Sequence, residues 1–312
     1  MKKPVLFLIF NRPDVTNIVF ETIRLYKPNK LYIAADGPRK NISSEIQLCE
    51  ETRKIVNNIN WDCEVKTLFR NENLGCKLAV AGALNWFFDY EEDGIILEDD
   101  VVPNIDFFNF CEFSLNKYKD ENRIMMITGH NHLSNNDFIS SYFFSKLYSI
   151  WGWATWKRAW KLYDIDMKKW DDKQVKKDIK YSTNKNYIWK NYKYTFDSLK
   201  TYYIDTWDIQ WSFTCLINNG LCVTPKVNLI TNIGVVGTHS KIITDCHFLK
   251  AYSLDNPINY TLPETFITNS LYDEEYYKLR IKYANRRYFF INILIKLKLY
   301  KFVKSVKKLI KF

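Results

Sequence analysis

The sequence predicts an α/β protein with a mostly parallel sheet flanked by helices. In the first third of the chain, short apolar runs typical of buried strands alternate with segments that have the apolar spacing of helices. Hydrophobic residues make up 47% and aromatic residues 17% of the 312 residues, which indicates a globular chain with a large core. A third observation is an apolar run that ends abruptly in acids, as described below.

The predicted elements alternate from the start of the chain. In order, they are strand 5–10, helix 14–25, strand 30–35, helix 44–57, strand 63–69, helix 77–90 and strand 94–97. Beyond Pro103 they are a helix to about residue 119, strand 123–128, helix 207–218 and strand 223–229. Between these, residues 129–175 are predicted to be rich in loops, and residues 176–200 to form a polar helical insertion.

The most informative segment is the apolar strand that begins at Gly94 and ends in three adjacent carboxylates, Glu98, Asp99 and Asp100. Three adjacent acids do not stabilise a buried strand, because like charges repel and each charge needs water or a cation. At the carboxyl end of a parallel strand they would face the crevice in which open α/β sheets bind ligands. Oxygen ligands suit Mg²⁺ or Mn²⁺, so we expect a metal ion that carries a phosphate group. The alternative is a solvated strand end, or acids that cap the next helix.

Charged residues also follow the other predicted strands. Arg12 follows the first strand, Asp36 follows the second, and Arg70 and Lys77 flank the loop after the third. Because the carboxyl ends of parallel strands share one edge, we expect these residues to gather near the acids. Such a set suits a nucleotide, since a carboxylate accepts from the base or ribose and cations offset a diphosphate. Taken singly, Arg12 is also typical of a surface, and Asp36 of a turn.

Three segments, Pro4–Pro13, Ala35–Gly37 and Leu97–Asp100, resemble the nucleotide-sugar half of the GT-A-fold glycosyltransferases. The similarity is closest to the N-acetylglucosaminyltransferase I type. Residues 150–156, Ile-Trp-Gly-Trp-Ala-Thr-Trp, resemble a motif of bacterial sugar transferases of surface-polysaccharide clusters. The resemblance covers residues 4–240 and implies a GT-A (Rossmann-like) fold. It also implies that Asp100 binds Mn²⁺ or Mg²⁺, while Glu98 and Asp99 contact the ribose or donor sugar, with Arg12 and Asp36 near the base and phosphates.

The same resemblance gives candidate roles to later residues. The segment Thr206–Trp211 resembles the region that holds the catalytic base in that family, so Asp208 is the candidate general base. Ile209 stands in the place of a second acid, which leaves the register open and keeps Asp205 as an alternative. A further alternative is that Asp208 only caps its helix. His239 resembles, by position, a late histidine that binds metal or phosphate in many GT-A enzymes, and the alternative is a histidine of a surface loop.

Tryptophans cluster around Gly152. Because aromatic faces stack on the C–H surfaces of sugars, Trp151 and Trp153 are predicted to face the acceptor, where Gly152 permits close approach. The alternative is that these rings pack a core beneath long loops. His130 and His132 are further candidates for the acceptor side.

The net charge of +10 arises from one end of the chain. Residues 276–312 contain 12 Lys or Arg and no Asp or Glu, whereas the other 275 residues contain 33 basic and 35 acidic residues. Apolar residues at helical spacing between these lysines predict a basic amphipathic helix on an anionic membrane surface. The alternative is a C-terminal helix docked on the body. Nucleic acid is not an expected partner, because the body is not basic and carries no binding motif.

The predicted organisation is a GT-A catalytic domain over residues 1–250 and a C-terminal extension over residues 251–312. The nucleotide-sugar half would span 1–103 and the acceptor half 104–250. Seven cysteines without a CxxC pair argue against a disulfide framework and a structural zinc site, and favour a reducing compartment. No apolar run reaches the ~18 residues of a membrane span, and the first is too short for a signal peptide. The expected location is therefore cytoplasmic, peripheral on the inner face of the bacterial plasma membrane.

Together these features predict a metal-dependent, inverting glycosyltransferase that uses a nucleotide-diphosphate sugar, with UDP-sugars favoured. Its acceptor would be a glycan or lipid-linked glycan in surface polysaccharide synthesis. A sugar-nucleotide nucleotidyltransferase is a related alternative, although such enzymes usually carry a glycine-rich loop where this chain has Asn11-Arg12-Pro13. The third possibility is a non-catalytic, membrane-associated carbohydrate-binding protein.

Overall fold

A computed structural model describes residues 2–133, 139–183, 185–202, 204–234, 250–255 and 259–278 of the chain. His239 and the predicted amphipathic helix lie outside these residues. The predicted α/β class is confirmed, with a large central sheet flanked by helices, consistent with a Rossmann-like GT-A fold. Within the described ranges, no helix is both long and apolar enough to cross a bilayer. The six cysteines described there are free.

Ten strands occur among the described residues. They are β1 (Val5–Ile9), β2 (Lys30–Ala35), β3 (Glu64–Phe69), β4 (Asp93–Glu98), β5 (Val101–Pro103), β6 (Ile124–Thr128), β7 (Tyr142–Ser145), β8 (Trp153–Trp156), β9 (Leu221–Pro225) and β10 (Ile230–Asn232). Eight of them form the central sheet in the order β3-β2-β1-β4-β8-β6-β9-β7, and β5 pairs with β10 in a small antiparallel sheet.

The central sheet is mostly parallel, as predicted. Strands β3, β2, β1 and β4 run parallel to one another, and β6 and β9 point the same way. Strand β8 is antiparallel to both β4 and β6, and β7 is antiparallel to β9. The chain moves outward from β1 to β3 and then returns to place β4 on the other side of β1. The strand order therefore reverses between β1 and β4, which is where open α/β sheets form a ligand crevice.

Helices cover both faces of the sheet. They are α1 (Pro13–Tyr26), α2 (Ser44–Arg53), α3 (Gly75–Tyr90), α4 (Ile105–Lys117), α5 (Lys157–Trp160), α6 (Lys173–Ser182), α7 (Asn186–Thr201) and α8 (Asp208–Ile217). Short 3₁₀ helices cover Lys54–Asn58 and Lys168–Asp171, and residues 270–278 are also helical.

The two faces of β1 contribute to two separate apolar cores. Leu6 and Leu8 join the core that contains residues of α3 and α8, whereas Val5 and Phe7 join the core that contains residues of α1 and α4. This division follows from the two-residue period of a strand, in which neighbouring side chains point to opposite faces. A strand buried on both faces must be apolar throughout, which explains why the sequence of β1 shows a continuous apolar run.

The tryptophan-rich region differs from the prediction. Residues 129–175 contain β7 and β8, and β8 is an inner strand between β4 and β6. All four residues of β8 are buried. Aromatic and β-branched residues suit strands, and this run contains both. The run was too short and too uniformly apolar to show an alternating pattern, so the sequence did not distinguish a strand from a core loop.

The last described segment, residues 259–278, is fastened to the edge strand β7. Asn269 N donates to Phe144 O over 2.8 Å, and the Asp273 carboxylate accepts from Ser145 Oγ at 2.6 Å and Lys146 N at 3.1 Å. Because an edge strand presents unpaired backbone groups, this segment satisfies part of that edge.

Asp273 makes the attachment of this segment dependent on pH. Burial raises the pKa of Asp273 to about 6, although the hydrogen bonds from Ser145 and Lys146 act to lower it. Because the folded pKa lies above the ordinary value of 3.8, the stability that this group contributes is greatest below pH 4 and falls as pH rises to 6. An asparagine could accept from Lys146 N through its one carbonyl oxygen and donate its amide to Ser145 Oγ, without the buried charge. Asp273→Asn should therefore be more stable than wild type at pH 7.5, by up to roughly 3 kcal/mol.

Thermal unfolding of both proteins at pH 4.5 and pH 7.5 checks this prediction. The advantage of the variant should grow between the two pH values. Glu275→Gln, which changes an exposed acid on the same helical segment, should show no such growth. An advantage of Asp273→Asn that is equal at both pH values would contradict the assignment.

Candidate functional site

The carboxyl ends of four parallel strands meet at one edge of the sheet. Ile9 is level with Ala35, Ala35 is level with Phe69, and Leu8 is level with Glu98. The residues that follow these strands include Arg12, Asp36, Arg70 and the three acids. The topology thus brings the predicted site residues of the first three strands and of β4 to the same edge, at the reversal between β1 and β4.

Arg12 joins the loop after β1 to the acids after β4. Its Nε donates to Asp99 Oδ2 and its Nη1 to Asp100 Oδ2, both over 3.1 Å, and its Nη2 pairs with Asp99 Oδ1. This fork-shaped contact holds both carboxylates in fixed positions. Burial raises the pKa of Asp99 to about 6, although Arg12 acts to lower it. Burial would lower the pKa of Arg12, but the two carboxylates raise it, so the guanidinium stays charged.

Glu98, the last residue of β4, carries a buried oxygen that lacks a hydrogen-bond partner among the described residues. This atom is Oε1. Burial raises the pKa of Glu98 well above its usual range, and the neighbouring Asp100, Asp99 and Asp208 raise it further. A buried acceptor without a donor costs free energy, so such atoms mark places where a ligand can supply a donor or a cation.

Asp208 is the first residue of α8 and faces the same cluster. Its charge contributes to raising the pKa values of Glu98, Cys76 and Tyr163, so its carboxylate lies near the end of β4 and the start of α3. The Thr206 hydroxyl donates to Asp208 Oδ1. The helix is anchored by tryptophans on either side, since Trp207 is 2% and Trp211 is 0% exposed. Fixing these two rings in the core leaves the half-buried Asp208 at the crevice.

Asp205, the alternative base, caps a helix instead. Its Oδ2 accepts from Cys76 N over 2.9 Å and its Oδ1 from Lys77 N over 2.8 Å. A carboxylate at a helix N-terminus satisfies free N–H groups and is favoured by the helix dipole. Gly75 is required beside it, because its φ is +81° and an added Cβ would lie 2.7 Å from Asp205 Oδ2.

Asp36 holds the loop that leads into α3. Its carboxylate accepts from Leu74 N at 3.0 Å, Gly75 N at 3.1 Å, Asn73 Nδ2 at 2.9 Å and Gly37 N at 3.0 Å. Burial raises its pKa, and these backbone donors act to lower it. The contacts of Asp36 are those of a residue that stabilises a turn. Donor binding by Asp36 stays a prediction.

Arg70 and Lys77 lie on the same side of the edge. Arg70 Nη2 reaches α3, where it would lie 2.9 Å from a Cβ placed on Gly82. Lys77 Nζ lies 3.9 Å from Asp166 Oδ1. Arg53 of α2, which the sequence did not single out, donates to Asp36 O at 3.1 Å and Arg70 O at 2.5 Å. It thereby joins the ends of β2 and β3, and only its place in the last turn of a helix could have suggested this role.

The β5–β10 pair brings a further segment against Asp100. Ile233 N donates to Asp100 O over 2.9 Å, and a Cβ on Gly234 would lie 2.1 Å from Asp100 Oδ2. Only glycine fits at this position without displacing the carboxylate. The next residues, including His239, lie outside the described part of the chain. Within that part, no group of three or more His, Cys, Asp or Glu side chains is arranged to hold a metal ion.

The two tryptophans predicted at the acceptor side have different surroundings. Trp153 is 0% exposed and stacks on Trp207 with ring centroids 5.5 Å apart, so its ring belongs to the core rather than to an open cleft. The physical reason is its place on an inner strand, which buries both faces. Trp151 is half-buried and stacks on His130 with centroids 4.6 Å apart.

Comparison with known proteins gives similarity at the level of structure alone. No protein-family model matches the sequence, and no curated protein matches it. Among solved structures, TarS 1–349 of S. aureus gives a TM-score of 0.41 at 8% identity, covering 75% of this chain and 61% of that chain. HddC of Yersinia pseudotuberculosis gives a TM-score of 0.32 at 9% identity, covering 50% of this chain and 77% of that chain. The 4-diphosphocytidyl-2C-methyl-D-erythritol synthase of Anaerococcus prevotii gives a TM-score of 0.32 at 12% identity, covering 52% of this chain and 75% of that chain.

The closer resemblance to the N-acetylglucosaminyltransferase I type finds no support in these three matches and stays a prediction.

Removing the Asp205 cap should destabilise the protein. Asp205→Ala leaves the amides of Cys76 and Lys77 without this acceptor, and loss of such a cap costs about 0.5–2 kcal/mol. Asp205→Asn keeps one acceptor oxygen and should lose less. Chemical denaturation of the three proteins measures both effects. Equal stability of Asp205→Ala and wild type would contradict the capping role.

Proposed function

We propose that this chain is a metal-dependent, inverting glycosyltransferase that transfers a sugar from a nucleotide-diphosphate donor to a glycan or lipid-linked glycan. The observation that carries this proposal is the meeting of Glu98, Asp99 and Asp100 with Arg12 and Asp208 at the reversal of strand order. Three acids gathered there are costly unless they serve a ligand, and an α/β sheet binds its ligand at that place.

The donor would bind at the carboxyl ends of β1, β2 and β3. Arg70 and Lys77 supply positive charge on that side, which suits a diphosphate. UDP-sugars are the favoured donors, on the grounds of the sequence resemblance. Glu98 Oε1, which has no hydrogen-bond partner in the described part of the chain, suits a hydroxyl donor, such as one from the ribose or the transferred sugar.

One carboxylate of the acid cluster would hold Mg²⁺ or Mn²⁺ together with the donor. Carboxylate oxygens are the ligands that these ions prefer, and Mg²⁺ commonly takes one or two carboxylates together with substrate phosphates and water. Asp100 is the proposed ligand, because Arg12 contacts its Oδ2 and not its Oδ1. His239 is a further candidate. When bound, the ion would stabilise negative charge on the departing diphosphate.

Asp208 would act as the general base. It would accept the proton of the acceptor hydroxyl as the acceptor oxygen bonds to the anomeric carbon. The bond between that carbon and the diphosphate oxygen breaks in the same step, and the diphosphate leaves with the electron pair. Attack from the face opposite the leaving group inverts the anomeric configuration. Arg12 would hold Asp99 and Asp100 in place through its fork of hydrogen bonds.

The remaining expectations concern location. The basic segment that follows residue 276 would hold the enzyme on an anionic membrane surface, on the cytoplasmic face of a bacterial plasma membrane. A nucleotidyltransferase is less well supported, because the loop after β1 contains no glycine and its Arg12 is engaged with the acids.

The metal assignment is tested by donor binding. Calorimetry with UDP-, GDP- and CMP-sugars should detect binding of one class in Mn²⁺, and chelation of the metal should weaken it at least tenfold. Asp100→Ala should weaken it similarly with the fold intact, as judged by circular dichroism. Asp89→Ala, which removes an exposed acid near the opposite end of α3, is the control and should bind as wild type. Donor binding that needs neither metal nor Asp100 would overturn the assignment.

The base assignment is tested by turnover. Asp208→Asn should lower the release of nucleoside diphosphate in the presence of acceptor by roughly 10²–10⁴-fold, which is the usual contribution of a general base. Donor affinity should stay within about threefold, because the base contacts the acceptor rather than the donor. Asp178→Asn, an exposed acid on α6, serves as the control. Unchanged turnover in Asp208→Asn would place the base elsewhere.

A further inference from the structure

Four aromatic side chains form a continuous row of ring contacts. Trp151 stacks on His130 with centroids 4.6 Å apart and ring planes 26° apart. The His130 ring lies 4.0 Å from that of His132, and the His132 ring lies 4.2 Å from that of Tyr276. We call Trp151, His130, His132 and Tyr276 the aromatic row. Its members come from three separate segments of the chain, so the fold and not local sequence assembles it.

The strand register places the aromatic row beside the acids. Trp153 of β8 is level with Ile96 of β4 and with Thr128 of β6. Because β8 is antiparallel to both, its N-terminal end lies at the same edge of the sheet as the carboxyl ends of β4 and β6, and Trp151 immediately precedes this end. The row therefore lies at the same edge of the sheet as the acids, on the β8 and β6 side.

The backbone around the row is fixed by several hydrogen bonds. His130 Nδ1 lies 2.8 Å from Ser149 Oγ, and Gly129 N donates to Gly152 O over 2.8 Å. His132 N donates to the hydroxyl of Tyr272 over 3.1 Å. Tyr276 is held by the helical segment 270–278, whose Asp273 is bound to β7. Rings that are held in this way lose little entropy when a ligand stacks on them.

The members of the row differ in exposure. His130 is 2% exposed and supports the others, whereas Trp151, His132 and Tyr276 are half-buried. Arg12, Asp36 and Arg70 lie on the opposite side of the acids, at the ends of β1 to β3. The edge is thus divided into a charged side and an aromatic side, with the acids between them.

We propose that the aromatic row binds the carbohydrate acceptor by stacking on the C–H face of a pyranose ring. A pyranose has an apolar face that fits an aromatic surface and hydroxyl groups at its edge, which here would point to Glu98 and Asp208. The charged side suits a diphosphate, so the aromatic side is left for the acceptor. This inference rests on the proposed function, but its test is independent of turnover.

The test measures binding of simple glycosides by saturation-transfer NMR. The probes are the methyl α- and β-glycosides of glucose, galactose, mannose and N-acetylglucosamine. Wild type should bind at least one of them, with transfer strongest to protons of one ring face. Tyr276→Leu and His132→Leu should each weaken that binding at least fivefold, whereas Tyr276→Phe, which keeps the ring, should stay within twofold. Tyr181→Leu, which removes an aromatic ring that is 82% exposed on α6, is the matched control.

The outcomes separate this inference from the proposed function. No glycoside binding, or binding that Tyr276→Leu and His132→Leu leave unchanged, overturns the acceptor role of the row. Competition of the bound glycoside by UDP alone overturns it too, because the row would then hold the nucleobase. Glycoside binding that depends on the row in a protein that binds no nucleotide sugar keeps the inference and overturns the transferase proposal. Trp151 also packs against the core, so the Tyr276 variants carry the test.

Discussion

The contact between Arg12 and the two aspartates is the constraint on which the rest of the site depends. It joins β1 to β4 at the reversal of strand order. There β1 and β4 are neighbours, but the chain leaves β1 towards β2 on one side of the sheet and the sheet continues from β4 on the other. Asp99 is buried and Asp100 is half-buried, so their neighbouring charges repel each other. Removing the Arg12 cation that they share would leave both charges poorly compensated. The pair therefore fixes the end of β4, and the end of β4 sets the position of Glu98 and of the segment that begins β5.

A second constraint comes from α3, whose N-terminus is closed by two carboxylates from distant parts of the chain. Asp36 takes the amides of Leu74 and Gly75, and Asp205 takes those of Cys76 and Lys77. A helix end satisfied by its own protein is a poor site for an external anion. The two caps instead stabilise the surrounding chain. Asp36 fixes the loop after β3, and Asp205 fixes the chain three residues before Asp208.

Much of this arrangement could be predicted from the sequence, because apolar runs reveal parallel strands and the charged residues directly follow them. Arg12 and the three acids could be predicted as site residues from their positions at strand ends alone. The caps could not be predicted, since Asp205 and Cys76 are remote in sequence and meet only in the fold. Trp153 was misjudged because an inner antiparallel strand and an aromatic cleft have the same local composition. No sequence pattern predicted a role for Tyr276, because its neighbours in the row come from other segments.

The segment that carries Tyr276 connects two features that the sequence presents as separate. Tyr276 closes the aromatic row, and the chain then continues directly into the basic stretch that holds the excess positive charge. If that stretch lies on an anionic membrane, the row is tethered within a few residues of the surface. A short tether keeps the local concentration of a membrane-bound ligand high. If the proposed membrane contact and the proposed acceptor role of the row both hold, this chain order favours a lipid-attached glycan over a free oligosaccharide as acceptor. Only the lipid-attached glycan is concentrated on the membrane surface.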